Sequence, residues 1–205
     1  MFAWILDVIF PIRTDEEIVR ELTVETFLSH LAPTLEERTR PATVTLLPFG
    51  DRRVRAAIHE AKYHGNDRAF ELLAAALGEY LRQDDRFDGC NNTVLVPVPL
   101  GKKRRRERGF NQVEEVLKRI CKELSIPLAA NLLVRTRETI TQVSLPKTAR
   151  AKNMRGAFVA LKPADPNRTY LLVDDVTTTG ATLGAAITAL KEAGATDILP
   201  IALAH

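Results

Sequence analysis

Two adjacent carboxylates, Asp174 and Asp175, stand between a short apolar run, Tyr170 to Val173, and a hydroxyl-rich stretch made of Thr177, Thr178, Thr179, Gly180, Ala181 and Thr182. The apolar run has the length and character of a strand buried on both faces, so the carboxylates fall at its carboxyl end. The stretch after them supplies hydroxyls, a glycine that lets backbone approach a ligand closely, and the start of a helical pattern. Backbone N–H groups at a helix start, with hydroxyls around them, make a phosphate cradle. Carboxylates accept two O–H bonds, so an acidic pair beside such a cradle suits a ligand with vicinal hydroxyls next to a phosphate. A ribose 5-phosphate has that shape.

The helix after the loop is read from Leu183, Ala186, Ile187 and Leu190, which recur at i, i+3, i+4 and i+7, with Gly194 as its stop. Two rival phosphate motifs fail on spacing. A nucleotide-triphosphate loop needs GxxxxGK[ST], and no lysine follows Gly180; a dinucleotide fingerprint needs three spaced glycines, and only Gly180 and Gly184 are present. The acidic residues also precede the loop, where a dinucleotide site has its acidic residue about twenty positions later. A buried acidic pair without a ligand is the plainer alternative, and the desolvation cost of unpaired carboxylates argues against it.

A chain of 205 residues with 45% hydrophobic content can bury a substantial core, as one domain with a small appendage. Its net charge of +3 is unevenly spread: Lys102 to Arg108 and Arg135 to Arg155 each hold six basic residues against one glutamate, leaving the remainder net negative. Such concentration points to anion sites rather than a uniformly basic surface. Two cysteines, Cys90 and Cys121, allow neither a disulfide framework nor a paired-cysteine metal site. The apolar start, Phe2 to Phe10, contains Asp7, lacks a basic leader and is too short to span a bilayer, so it reads as a packing segment of a cytoplasmic protein without membrane insertion.

Along the chain, Thr14 with Asp15, Glu16 and Glu17 reads as an N-cap with a capping box, and an apolar stripe through Ile18, Val19 and Leu22 runs on to Leu31 before Pro33. Thr43 to Leu47 predicts a short edge strand. Two helices, Asp51 to Tyr63 and Asp67 to Leu81, are divided by a turn at His64, Gly65 and Asn66. Thr93 to Val98 is a buried strand that runs into a loop carrying the first basic cluster. Gln112 to Leu124 is an amphipathic helix whose apolar face includes Cys121, expected in the core, while Cys90 falls in a loop. Leu132 to Val134 is a short strand, and the long polar stretch to Arg155 reads as a basic lid. Ile198 to Leu203 closes the sheet. Strands alternating with helices imply a parallel sheet with ligands at the strands' carboxyl ends.

The stretch from Tyr170 to Thr182, YLLVDDVTTTGAT, resembles the phosphoribosyl-pyrophosphate motif of type I phosphoribosyltransferases. Two further segments resemble the ComF branch of that superfamily, which is associated with natural competence. Arg108, Gly109, Phe110, Asn111 and Gln112 match its RGFNQ signature. Thr139, Gln142, Leu145, Arg150, Asn153, Gly156, Ala157 and Phe158 match a spaced pattern of TxxQxxL, RxxN and GAF, and Lys62 and Tyr63 match an earlier lysine-bearing helix. The resemblance covers about residues 47 to 204. It departs at the amino end: Phe10 and Pro11 are present, but the four cysteines of a zinc ribbon found there in many members are not, so no structural zinc is expected.

The resemblance implies an α/β type I phosphoribosyltransferase fold: a central, mostly parallel sheet flanked by helices over residues 47–205, a small amino-terminal helical hood over residues 1–46, and a basic flexible loop. It implies phosphoribosyl pyrophosphate as donor with Mg²⁺, the ribose hydroxyls and the metal on Asp174 and Asp175, and the 5-phosphate on the loop from Thr177 to Thr182. The turn of Val98, Pro99, Leu100 and Gly101 would face pyrophosphate, with Arg104, Arg106 and Arg108 nearby and Lys147 and Arg150 closing over it. Arg108 and Arg150 would stabilise the charge that builds as the C1 bond breaks. Two functions from different classes meet these residues. One is a glycosyltransferase that moves phosphoribosyl onto an acceptor in nucleotide metabolism or DNA uptake. The other is a competence protein without turnover that senses the donor or binds single-stranded DNA. Competence helicase-type proteins and a second copy of the chain, as a homodimer, are the remaining candidate partners.

Overall fold

The structure is a computed structural model that describes residues 13–87, 92–137 and 156–205. Its centre is a five-stranded sheet of β1 (Thr34–Glu36), β2 (Thr43–Leu47), β7 (Asp197–Ala204), β6 (Thr169–Val176) and β3 (Thr93–Pro97), in that spatial order. The pairs β2–β7, β7–β6 and β6–β3 are parallel, and only β1 runs antiparallel to its neighbour. The fold is thus α/β with a mostly parallel sheet flanked by helices, consistent with the type I phosphoribosyltransferase-like architecture implied above. A separate two-stranded antiparallel sheet joins β4 (Leu133–Arg135) to β5 (Phe158–Ala160). Leu95, Val96, Leu171, Leu172 and Val173 are essentially inaccessible, because helices cover both faces of the parallel core and leave no solvent side for polar alternation.

Several local expectations are corrected. The capping box is absent from helix α1 (Thr14–Glu21), where Thr14 is the first helical residue and Arg13 is an N-cap without a side-chain bond. The box sits instead one helix later, on α2 (Val24–Leu28), where Thr23 and Thr26 exchange side-chain and backbone bonds. The chain leaves helical geometry at Leu22, so the apolar stripe to Leu31 spans two short helices rather than one. Strand β2 is interior, since β1 covers one edge and β7 the other, and β7 lies in the middle of the sheet rather than closing it. Parallel pairing lets a strand that is late in sequence enter the centre, which local patterning cannot reveal.

Helix α3 (Arg52–His59) is capped by Asp51 and passes into a π-turn over Glu60–His64, and Gly65 then reverses the chain at φ 61° before α4 (Asp67–Gln83), capped by Asn66. The basic cluster forms helix α5 (Lys102–Arg108), not a loop, with Gly101 before it and Gly109 at φ 79° after it. Helix α6 (Gln112–Leu124) follows the sequence reading residue for residue, although Cys121 is half-buried at the margin of its apolar face instead of enclosed. Val19 of α1 and Phe27 of α2 belong to the same core as Leu72 and Leu77 of α4, and the expected boundary between residues 46 and 47 falls inside β2. Among the described residues no helix is long and apolar enough to cross a membrane. The apolar start from Phe2 to Phe10, Cys90 and most of the basic lid lie outside the described residues.

Candidate functional site

Strand β6 carries Asp174 and Asp175 at its carboxyl end, two and one positions before its last residue, Val176. Because β3 and β6 are parallel neighbours, the Val98 to Gly101 turn emerges beside them, and the Val98 N–H donates to the Val173 carbonyl at 2.9 Å. The loop from Thr177 leads into helix α7 (Ala181–Glu192). The acidic pair, the hydroxyl loop and the turn after β3 therefore share one end of the sheet. Among the described residues, the backbone N–H groups of Thr178, Thr179, Gly180 and Thr182 donate to no protein acceptor, as expected of a loop entering a helix first turn.

Gly180 is required for a different reason from the one its place in the loop suggests. Its φ is 74°, and a Cβ there would lie 2.9 Å from both the backbone N and O of Arg40. The close approach is to the chain's own segment before β2, which the Arg40 N–H ties to the Thr179 carbonyl at 3.0 Å. The glycine thus fixes the loop against the body of the protein while the neighbouring N–H groups stay open.

The two carboxylates are not equivalent. Asp175 Oδ2 accepts from Gln112 Nε2 at 2.6 Å and lies 3.0 Å from Lys62 Nζ, while Oδ1 accepts the Val176 N–H at 2.7 Å. Asp174 Oδ1 accepts the Asp175 N–H at 2.9 Å, and its second oxygen accepts no bond among the described residues. Burial, then the neighbouring Asp175 charge, pushes the Asp174 carboxyl up to about 7, with the Asp175 N–H and the charges of Lys62 and Arg135 acting the other way. Asp175 is held by a cation, an amide and a backbone N–H, while Asp174 beside it titrates near neutral pH.

Each residue of the 108–112 signature has a traceable task. Arg108 stacks its guanidinium 5.0 Å above the Tyr63 ring and donates to Gln112 Oε1 at 3.1 Å, which orients the Gln112 amide so that its nitrogen faces Asp175. Burial lowers the Arg108 pKa from its ordinary value, while Tyr63 and the Asp175 charge oppose that shift. Gly109 ends α5 in the left-handed conformation. Phe110 packs edge-on to Phe70 at 5.8 Å and lies against Gly65. Asn111 caps α6 through its oxygen, and its nitrogen donates to the Val98 carbonyl at 3.0 Å, tying the turn after β3 to that helix.

The structure thus brings together Asp174, Asp175, Val98 to Gly101, Thr177 to Thr182 and Arg108. Arg106 lies on α5 before Arg108, where with Pro99, Leu100, Lys102, Arg105, Ala130, Asn131, Leu133, Val134 and Arg135 it borders a cleft of about 500 Å³. Arg104 is half-buried on the same helix. Lys147 and Arg150 lie outside the described residues. Lys62 and Gln112, which the residue types alone leave without a role, are direct partners of Asp175. A lysine and a glutamine carry no chemistry legible from spacing, and their joint presence in the family-like segments was the one available signal.

No family model matches the chain. It is 36% identical to "Competence protein F" of Haemophilus influenzae over 107 residues, which is 51% of this chain and 47% of that protein. It is 34% identical to "DNA utilization protein YhgH" of Escherichia coli K12 over 142 residues, 69% of this chain and 62% of the relative. It is 29% identical to "Competence protein ComFC" of Streptococcus pneumoniae, also over 142 residues, 69% of this chain and 59% of that one. The matched regions therefore span about half to three fifths of these relatives.

Proposed function

The chain belongs to the ComF family, and from that premise we propose that it binds phosphoribosyl pyrophosphate with Mg²⁺ at the carboxyl end of β6, as a phosphoribosyltransferase serving DNA uptake or utilisation. The observation that carries the reading is the joint placement of Asp174, whose second oxygen accepts no bond among the described residues, and a loop at the start of α7 whose N–H groups donate to none of them, with Lys62 and Arg108 facing the same acidic pair. The vicinal hydroxyls of the ribose would donate to Asp174 and to the remaining lone pairs of Asp175. The 5-phosphate would accept from the loop N–H groups and from the threonine hydroxyls.

The residues present fit a magnesium ion, because Asp174 offers a hard oxygen that no donor among the described residues occupies, whereas Asp175 is engaged by Lys62 and Gln112. Bound there with the donor's own oxygens, the ion would neutralise charge on the pyrophosphate. The chain's residues do the rest. Transfer breaks the bond from C1 of the ribose to pyrophosphate and forms one from C1 to a nucleophilic acceptor, with the electron pair of the broken bond leaving on the pyrophosphate oxygen. Arg108, half-buried and held by Tyr63, is fixed where negative charge develops, so little reorganisation is needed at the moment of reaction.

A second reading, binding of single-stranded DNA without turnover, draws on helix α5, whose basic side chains are largely exposed, and on the relatives named for DNA utilisation. Single strands gain much of their affinity by stacking on aromatic rings. Phe110, the aromatic nearest the cluster in sequence, is packed on Phe70, and this favours the donor-site reading. Release of pyrophosphate decides between the two: incubation with the donor, Mg²⁺ and a panel of bases, amines and oligonucleotides is expected to release it faster with one acceptor than with water. Tight donor binding with no acceptor-dependent release across the panel would overturn the transferase and leave the binder.

A further inference from the structure

The turn that carries Lys62 also gathers three metal-ligating side chains. The ligand atoms of His59, Glu60 and His64 all lie within 4.8 Å of one another, the one such group among the described residues. The cause is the π-turn. The Gly65 N–H donates to the Glu60 carbonyl, closing an i→i+5 ring. Residues five apart then come onto one side, where a continued α-helix would set them about 140° apart. The His59 and His64 rings meet edge to face with centroids 5.7 Å apart, and His64 Nε2 is 3.8 Å from Glu60 Oε1.

The groups behind these three are those a metal site uses to orient its ligands. Asp15 Oδ2 lies 3.1 Å from His59 Nδ1, so an N–H there donates to the carboxylate and turns Nε2 outward as the ligand. Glu60 is fully buried and its carboxylate is fixed by Arg13 Nε and Nη2 at 3.1 and 3.0 Å and by Asn66 Nδ2 at 3.1 Å. Burial alone would raise the Glu60 pKa, but these bonds and charges outweigh it and hold the carboxyl below its ordinary range. Its Oε1 accepts one bond from Arg13 and keeps a lone pair on the side of His64. Ligand atoms around a tetrahedral first-row cation are about 3.3 Å apart, so small rotations of two exposed imidazoles complete the set.

We propose that His59, Glu60 and His64 bind a divalent first-row cation, zinc or the comparably imidazole-seeking nickel or copper, with at least one coordination position left to solvent. Two imidazoles and one carboxylate suit these ions, whereas magnesium takes oxygen ligands. The site is independent of the donor reading, uses no cysteine, and is open to chelators because both histidines are exposed. The chelator-stripped full chain, titrated with zinc by calorimetry, is expected to take up one equivalent at this site. His59→Asn and His64→Asn should each weaken that uptake at least tenfold, while Lys62→Ala should leave it unchanged. Cobalt provides a second readout, since its tetrahedral absorption bands should be present in the parent chain and lost in both histidine variants, with circular dichroism verifying the fold. No zinc uptake by the parent chain, or equal affinity in the parent and both histidine variants, would overturn the proposal.

Discussion

Replacing Asp174 by asparagine should stabilise the ligand-free protein while disabling its site. Asparagine keeps the oxygen that accepts the Asp175 N–H and removes only the charge beside a second carboxylate. A carboxyl that titrates at about 7 in the folded chain, against about 4 when unfolded, binds its proton more tightly in the native state. Its contribution to stability is therefore fully present below about pH 4 and is lost as pH rises through about 7. At about 1.4 kcal/mol per pH unit the loss is bounded near 4 kcal/mol, and solvent at the mouth of the site screens it to about 1–3 kcal/mol. Urea unfolding of the parent and of Asp174→Asn at pH 5 and pH 8 reads this directly. The variant should gain more at pH 8 than at pH 5, and an equal gain at both values, or a loss at pH 8, would refute the argument that burial and a like charge set this carboxyl.

Other outcomes follow from the same contacts. Lys62→Met removes the cation 3.0 Å from Asp175 and should weaken donor binding about tenfold or more, equivalent to about 1.4 kcal/mol, in a calorimetric titration with Mg²⁺ present. Gly180→Ala combines a left-handed residue with a Cβ only 2.9 Å from Arg40 backbone atoms and should cost about 2 kcal/mol or more in urea unfolding, with unchanged stability contradicting the packing described. Reversing Arg104, Arg105 and Arg106 to glutamate should flatten the salt dependence of any oligonucleotide binding, whose slope is about −0.7 per phosphate contact on single strands, as followed by fluorescence anisotropy. An unaltered slope would assign that binding to another surface.

What the sequence makes legible is chemistry held in consecutive residues. The run from β6 through the loop to α7 is covalently contiguous, so strand, carboxylates, cradle and helix can be read in order, and α6 declares itself by an unbroken stripe from Val113 to Ile120. Helix α5 escapes that reading because a run of seven charged residues has no apolar period, and the neighbouring glycines suggest a turn as readily as caps. The π-turn escapes because nothing in EAKYH distinguishes an i→i+5 hydrogen-bonded turn from ordinary helix. The contact of Lys62 with Asp175 joins residues brought together only by packing α3, its turn and α6 against the sheet end, so the pinning of one carboxylate and the release of the other are properties of the fold.

The account stands or falls on donor binding at the acidic pair. Calorimetric titration of the full chain with phosphoribosyl pyrophosphate and Mg²⁺ should give one site, and a hundredfold excess over Kd should stabilise the native state by about 2.7 kcal/mol in thermal unfolding. The double variant Asp174→Asn, Asp175→Asn, folded by circular dichroism, should show neither heat nor shift. Binding that survives unchanged in the double variant, or no binding by the parent chain, would contradict the assignment of this sheet end as the phosphoribosyl site.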